Sequence, residues 1–492
     1  MLAAIPAASW TVDLMRVEWI GRSRQDGDNQ QADPARLINI YREKAGDKPI
    51  LKRVPGMVPF VDLASAPLRA MEQEAGKVFA VSGADLSCID GNGTVSDLGQ
   101  VSADGDVSIS GNNGSAVVTA GGDYYVWDGE TLTQPDTGAF SDVGSVEFLG
   151  QRTVITELNG RRFGWSDVTE PETFDGLSFA TAESTDDNII RGAVIQGIYW
   201  IFKERSIERW YQTGGENFLA PMSGGDMDTG LLRFGLFIKF PNGAFFVGND
   251  GIAYLVSGGS MRPVSTRGVE TALEQKDATH CLYYQDEGHK FCVIRFADRE
   301  AWVYDMVMDE WHERAEGGSL TPWSATHSVQ AFGADFVGSA FGRVFSLDRI
   351  PSDDGQPLIG KAVSRTIRNN GNRFRVPRLT LIGAVGNSTL TAQRSPGLHI
   401  GGGYMMATDG YTALATGDDV TVSTDSKVSL RVSKDRGKTW SRDKVRSMGR
   451  AGEYDKVVRW RSLGQFRNAN FEITLSDNTD MTIEAVGEIE LA

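Results

Sequence analysis

Cysteine is nearly absent. The 492 residues include three, Cys88, Cys281 and Cys292. They form no C-x-x-C pair and sit in apolar, strand-like stretches, so buried free thiols are expected rather than a disulfide framework or a zinc site. Histidine is almost as scarce. His280, His289, His312, His327 and His399 show no i, i+4 pairing, and His312-Glu313 runs on into Arg314-Ala315-Glu316 instead of completing H-E-x-x-H. No apolar run approaches the roughly 18 residues of a membrane helix, and no charged segment precedes the short apolar run at the start, so neither a membrane span nor a signal peptide is expected. No G-x-S-x-G elbow offers a hydrolase serine. Gly437-Lys438-Thr439 matches the end of a P-loop, but Val432 stands where that motif needs glycine, and the context is a hairpin. No catalytic residue, no metal ligand and no cofactor is therefore expected.

Positive charge is also short, with 49 Lys and Arg against 65 Asp and Glu, a net of −16. Tight wrapping of nucleic acid needs cations that displace counterions from phosphates, so it is not expected. A duplex sliding past an acidic wall remains compatible, because repulsion lowers friction. The same balance also serves solubility.

Glycine is plentiful, with 57 residues, beside an ordinary apolar share of 40%. Many short apolar runs separated by glycine turns favour an all-β chain. From about Lys77 to Asp348 a unit recurs: a short apolar strand, a Gly or Asp turn, and a second strand ending near an aromatic. Examples are Ala116 to Trp127, Val146 to Trp165, Ile198 to Trp210 and Lys290 to Trp311. Starts lie mostly 30 to 50 residues apart, bracketing a propeller blade of roughly 40 to 50 residues. About six or seven irregular blades stacked radially into a β-propeller are expected, with a sandwich pair as the rival. Trp127, Trp165, Trp200, Trp210, Trp302 and Trp311 fall at strand ends and read as core. Asp90-Gly91-Asn92-Gly93-Thr94 spaces oxygen donors like a calcium loop but lacks the closing Glu, and reads as a plain turn. Short helices are expected at Ala64 to Glu74, where Leu68 and Met71 share a helical face, and at Gly268 to Gln275. The divisions expected are an N-terminal arm or platform at 1–62, the propeller-like domain at 63–350, and a C-terminal antiparallel β-domain at 351–492. A Gly/Thr-rich insertion at 386–424 interrupts the last.

That C-terminal domain carries the strongest local patterns. Val428, Leu430 and Val432 alternate with Ser429, Arg431 and Ser433, as do Phe471, Ile473 and Leu475 with Glu472, Thr474 and Ser476, while Val458 and Trp460 oppose Arg459 and Arg461. Ser433-Lys434-Asp435-Arg436-Gly437-Lys438-Thr439-Trp440 has the spacing S-x-D-x-G-x-T-W. Its carboxylate can accept backbone N–H groups, its glycine can take positive φ, and its Trp can fold back as a plug. Ser433, Asp435, Gly437 and Trp440 are thus expected to make a self-stapling turn. Residues 428–467 hold twelve Lys and Arg against four acids, a net of +8, and 361–378 hold six bases and no acid. Arg365, Arg368, Arg373, Arg375, Arg446, Arg450, Arg459, Arg461 and Arg467 become candidates for docking against acidic surfaces, although a solvated strand face would show the same alternation.

The runs Gly437-Lys438-Thr439-Trp440, Arg446 to Gly449, Gly452-Glu453-Tyr454, Arg459 to Arg467 and Phe471 to Asp477 together resemble the C-terminal signature of the packaged-DNA stabilisation family, the tail hub or nozzle proteins of short-tailed bacteriophages. Asn39 to Glu43 and Arg53 to Met57 add weaker echoes. The resemblance covers closely about a tenth of the chain. It implies a non-enzymatic virion protein, made in the host bacterial cytoplasm, that assembles as a homo-oligomeric ring of six under the portal and adaptor. Such a ring would close the head-to-tail channel, retain packaged double-stranded DNA without reading its sequence, and carry tail fibres or spikes. The S-x-D-x-G-x-T-W turn is also similar to the Asp-box of sialidases, which keeps open a tail-associated glycan-binding or glycan-cleaving propeller. The Asp-box supports structure in those enzymes and recurs between blades; here it occurs once.

Overall fold

Alternating apolar and polar residues turn most of the chain into short strands, and Arg267–Gln275 is the one α-helix among the described residues. The computed structural model describes residues 34–45, 48–112, 114–213, 217–298, 300–350, 352–385, 426–449, 456–476 and 481–491, with 14–17, 23, 405–406 and 412–413 besides. Most of the 386–424 insertion and Arg450 lie outside the described residues.

The body is a β-propeller. Its blades open with Leu68–Glu74, Val107–Asn112, Val143–Leu149, Ile189–Ile195, Phe237–Phe240, Ala278–Asp286 and Ala325–Ala331, which we number one to seven in that order. Blades one to five are each four-stranded antiparallel meanders. First strands pack side by side from blade one to blade four and from blade five to blade seven, and the ring closes from blade seven onto blade one. Blades four and five join through a shared cluster in which Ala193, Trp200 and Phe202 meet Phe237 and Phe246. No blade could bury both of its faces alone; stacking supplies the missing partner. Blade seven takes its fourth strand from far upstream. Gly56–Asp62 pairs antiparallel with Arg343–Asp348, placing Val61 opposite Val344 and Val58 opposite Ser346, and so ties the ring shut.

The C-terminal module is two sheets face to face. One contains Ile40–Ala45, Lys48–Arg53, Met481–Leu491, Phe374–Val385 and Lys456–Phe466 in that spatial order. The other contains Arg36–Ile38, Gly360–Val363, Asn468–Leu475, Ser426–Ser433 and Lys444–Gly449. Between them lie Leu37, Ile40, Phe374, Leu430, Trp460 and Phe471, all nearly or wholly shut off from solvent. The second sheet is continuous with blade six, because Ile38 pairs in parallel with Glu313 of Glu310–Glu316. One eleven-stranded sheet thus runs from propeller into sandwich. Residues 36–62 therefore serve both modules in turn.

The helix expected at Ala64 to Glu74 is a strand, Leu68–Glu74. A β-bulge between Leu68 and Ala70 shifts the side-chain parity. Leu68 and Met71, three residues apart, consequently share one strand face and one core cluster, which imitates a helical stripe. The other helix forms, over Arg267–Gln275. Trp165, Trp200, Trp210, Trp302 and Trp311 are buried and Trp127 is half-buried against Phe79. The three cysteines are buried free thiols. The 90–94 loop is a plain turn in which Asp90 Oδ1 accepts the N–H groups of Asn92 and Thr94, each at 2.9 Å.

Candidate functional site

The hairpin after Ser426–Ser433 holds itself together. Thr439 donates its N–H to Asp435 Oδ1 (2.8 Å) and its hydroxyl to Oδ2 (2.6 Å). Ser433 Oγ donates to Asp435 Oδ1 (2.7 Å) and accepts the Gly437 N–H (2.8 Å). Gly437 takes φ 81°, and Arg436 before it φ 62°. The Thr439 hydroxyl and N–H, with Ser433, hold the Asp435 carboxyl down at about 2. Half-buried Trp440 lies under the Arg431 guanidinium, 5.9 Å from the ring centroid. Both Asp435 oxygens are spent on this loop.

The candidate arginines are distributed over the surface of the same module. Arg459 and Arg461 point outward from Lys456–Phe466, where Val458 and Trp460 point in. Arg461 lies opposite Arg378, and Arg459 opposite Thr380, on the adjoining strand. Arg373 and Arg375 are exposed at the start of that strand, and Arg446 is exposed on Lys444–Gly449. Exposed Arg368 lies opposite Asn468, next in sequence to exposed Arg467, while Arg365 is exposed one turn earlier. Lys456–Phe466 and Lys444–Gly449 are the terminal strands of their respective sheets. They lie on the same side of the sandwich, and Trp460 Nε1–H bridges them by donating to the Lys444 carbonyl at 2.7 Å. Two apolar side chains break this basic border, Val445 (48% exposed) and Val457 (41%). Among the described residues Arg365, Arg373, Arg375, Arg459, Arg461 and Arg467 meet no carboxylate.

A second polar cluster sits on the propeller axis. The first strands of all seven blades line a cavity of about 150 Å³. Into it come Arg69 and Glu72 from blade one, then Asp106, Glu147, Arg191, Lys239, His280 and His327 from successive blades. Bulges at Leu68/Ala70, Ile189/Arg191, Ala278/His280 and Ala325/His327 recur at the head of these strands and re-aim the residues beside them. Lys239 Nζ pairs with Glu147 Oε2 at 2.8 Å, and the Arg191 guanidinium covers Phe234 and Phe237 at 4.4 and 4.8 Å. Arg69 bonds the carbonyls of Gly83, Ser102, Asp104 and Gly105, riveting blade one to the approach to blade two. Burial raises Glu72 to about 7, assisted by Glu147 and opposed by Lys239. Burial likewise lowers His280 to about 4 and His327 to about 3, their rings 5.1 Å apart, so both are neutral near pH 7. Three acids and three bases share a space that admits water and no duplex. Among the described residues no group of His, Cys, Asp or Glu is set to hold a metal ion. This cluster was not legible as a motif, since its members lie tens of residues apart. Its one signal is a charged or histidine residue on each inner strand or directly before it, near the head in blades one, two, four, six and seven.

Residues 17–349 match the family model described as Bacteriophage P22 Gp10, beta-propeller, and residues 405–489 match that described as Bacteriophage P22 Gp10, beta-sandwich. No curated protein matches. Among solved structures the chain is similar to the computationally designed Ika8 protein (12% identity, 67% of this chain and 100% of that one, TM-score 0.37). It is also similar to YCF48 bound to D1 peptide (10% identity, 60% and 98%, TM-score 0.40), and to BamB from Moraxella catarrhalis (13% identity, 68% and 97%, TM-score 0.37).

Proposed function

The chain belongs to the bacteriophage P22 Gp10 family, a structural component of the phage virion, and from that premise we propose that it is the tail hub, or nozzle, of a short-tailed phage. In this reading several copies, six by the resemblance, form a ring below the portal and adaptor, close the head-to-tail channel, retain the packaged duplex and offer attachment points for fibres or spikes. The observation that carries the proposal is the order of the two family matches, propeller then sandwich, on a chain whose sandwich is built into blade six by a continuous sheet. Such a joint transmits force instead of hinging, which suits a part that must bear the pressure of a packed genome.

The duplex would run through the lumen of the ring rather than along a propeller axis, because the axial cavity is small and crossed by charged side chains. The acidic balance of the chain would keep phosphates from adhering to the lumen. No step of bond chemistry is required. Retention would be steric and electrostatic, and ring interfaces would supply the stability.

The test is genetic. Particles assembled without this protein should package DNA and then lose it, leaving the remaining genome open to added nuclease, and adding back the purified chain to freshly filled particles should restore protection. Filled, nuclease-resistant, infectious particles lacking the protein would overturn the proposal.

A further inference from the structure

The chain is electrically bipolar along one direction. Blade six bears the sandwich, and in a ring of seven the blades across the axis from it are two and three. Residues 107–181, which make those two blades, contain eleven Asp and Glu against three Arg, a net of −8. All three arginines are already engaged, Arg152 near Asp167, Arg161 with Asp186 and Arg162 with Glu157. The opposite pole, described over 428–449 and 456–467, carries eleven Lys and Arg against two acids, a net of +9.

Each pole also has an apolar point inside its charge. In blade three the loop before Phe179–Thr181 exposes Glu170, Glu172 and Asp175 around Leu177, which is 87% exposed. This loop is anchored at several points. Thr169 N–H donates to the Gln151 carbonyl at 2.7 Å, the Tyr124 hydroxyl to the Pro171 carbonyl at 2.6 Å, and the Thr133 hydroxyl to Glu172 Oε1 at 2.7 Å. A large aliphatic side chain held out on a braced loop loses little entropy on being covered. On the sandwich, exposed Val457 shares one strand face with exposed Arg459 and Arg461, and among the described residues their strand is the last of its sheet. Such an edge offers unpaired backbone groups to another chain.

We propose that the blade-three loop carrying Glu170, Glu172 and Leu177 docks on the sandwich edge of a second copy of this chain, at Val457, Arg459 and Arg461. The occupant is another copy because both complementary surfaces are on one chain at opposite poles, the arrangement that joins subunits head to tail and closes into a ring. Leu177 against Val457 supplies the desolvated centre, and the surrounding charges select the partner and the register. The inference rests on the ring reading above and specifies which surfaces make the ring.

Charge reversal tests it on the full chain. Glu170→Lys with Glu172→Lys reverses one pole, and Arg459→Glu with Arg461→Glu reverses the other; near-ultraviolet circular dichroism and melting check that both variants fold. Sedimentation and negative-stain microscopy should show rings for the wild-type chain, with its adaptor if required, and loss of rings for each folded variant alone. An equimolar mixture of the two variants should recover rings, since every contact in an alternating ring again joins unlike charges, and the chain carrying all four substitutions should recover them too. Folded variants that still form rings would overturn these surfaces while leaving the ring reading intact. Rings lost in the variants and not recovered by the mixture or the fourfold chain would overturn the pairing. Variants that form rings but no longer bind the adaptor would assign the patch to the adaptor and overturn the proposal. A wild-type chain that never forms rings would overturn both readings.

Discussion

Arg314 and Asp353 form an ion pair, Nη2 to Oδ1 at 2.9 Å, with both side chains sealed from solvent at 1% and 0% exposure. Arg314 also donates to Asn39 Oδ1 and the Pro55 carbonyl and covers the Trp323 ring, while Asp353 accepts the N–H groups of Met57 and Gly317. Blade six, the N-terminal crossing strands and the segment leading into the sandwich all meet at this pair. It is the point where the two modules become one body.

Removing one partner strands a buried charge. Arg314→Leu or Asp353→Ala should therefore cost about 3–5 kcal/mol, read as a lower urea midpoint. Replacing both with apolar residues should recover a large part of the loss. Because the pair joins the modules, their unfolding should separate into two transitions in the single variants; one coincident transition would show that the joint lies elsewhere.

Blade four contains a second buried network. Lys203, wholly buried, reaches Asp187 at 3.0 Å and Glu208 at 3.1 Å. Burial alone would raise Asp187, but hydrogen bonds from Thr185, Lys203 and the Arg205 N–H outweigh it and hold its pKa below the usual carboxylate value. A depressed carboxylate adds stability above its unfolded pKa and loses it as pH falls through the folded value. Lys203→Met should cost about 3–5 kcal/mol at pH 8 and distinctly less once pH falls below the depressed folded value of Asp187, where that carboxyl is protonated with or without its partner. A deficit independent of pH, measured by denaturant titration, would contradict this.

Glu72 on the propeller axis titrates in the other direction. Its folded value of about 7 lies above the ordinary 4.5, so the fold favours the protonated form. The cost of ionising it grows as pH rises from 4.5 to 7 and then stays constant. Glu72→Gln should be more stable than wild type at pH 8, by up to about 3 kcal/mol, and no more stable at pH 4. An equal gain at both values would point to packing instead of charge.

Asp435 is the opposite case, half-buried and held at about 2 by its own loop. Its stabilising contacts should be complete above about pH 4 and weaken only as pH falls toward 2. Asp435→Ala should speed amide exchange at Gly437 and Thr439 while the sandwich stays folded. Unchanged exchange at those two amides would show that Gly437 and Trp440 suffice.

Much of this was legible because strand alternation is local. Val428, Leu430 and Val432 face the core, as do Val458 and Trp460, while Arg459 and Arg461 face out, as their spacing implied. The self-stapling turn and the recurring blade unit are local in the same sense. Leu68 and Met71 misled because a bulge, invisible to periodicity, restored a three-residue spacing to one face of a strand. The axial cluster was hidden for another reason. Asp106, Glu147, Arg191 and Lys239 converge only after seven blades close, and no short window contains two of them. Likewise, the polarity between blades two and three and the sandwich depends on which blades lie across the ring, a property of closure rather than of sequence order.

Whether this chain forms a ring that caps the head-to-tail channel is decided by electron microscopy of the purified protein mixed with its virion's portal–adaptor complex. A closed ring seated coaxially on the adaptor is expected, with sandwiches and blades two and three of adjacent copies in contact. A chain that stays monomeric and leaves the adaptor bare would contradict it.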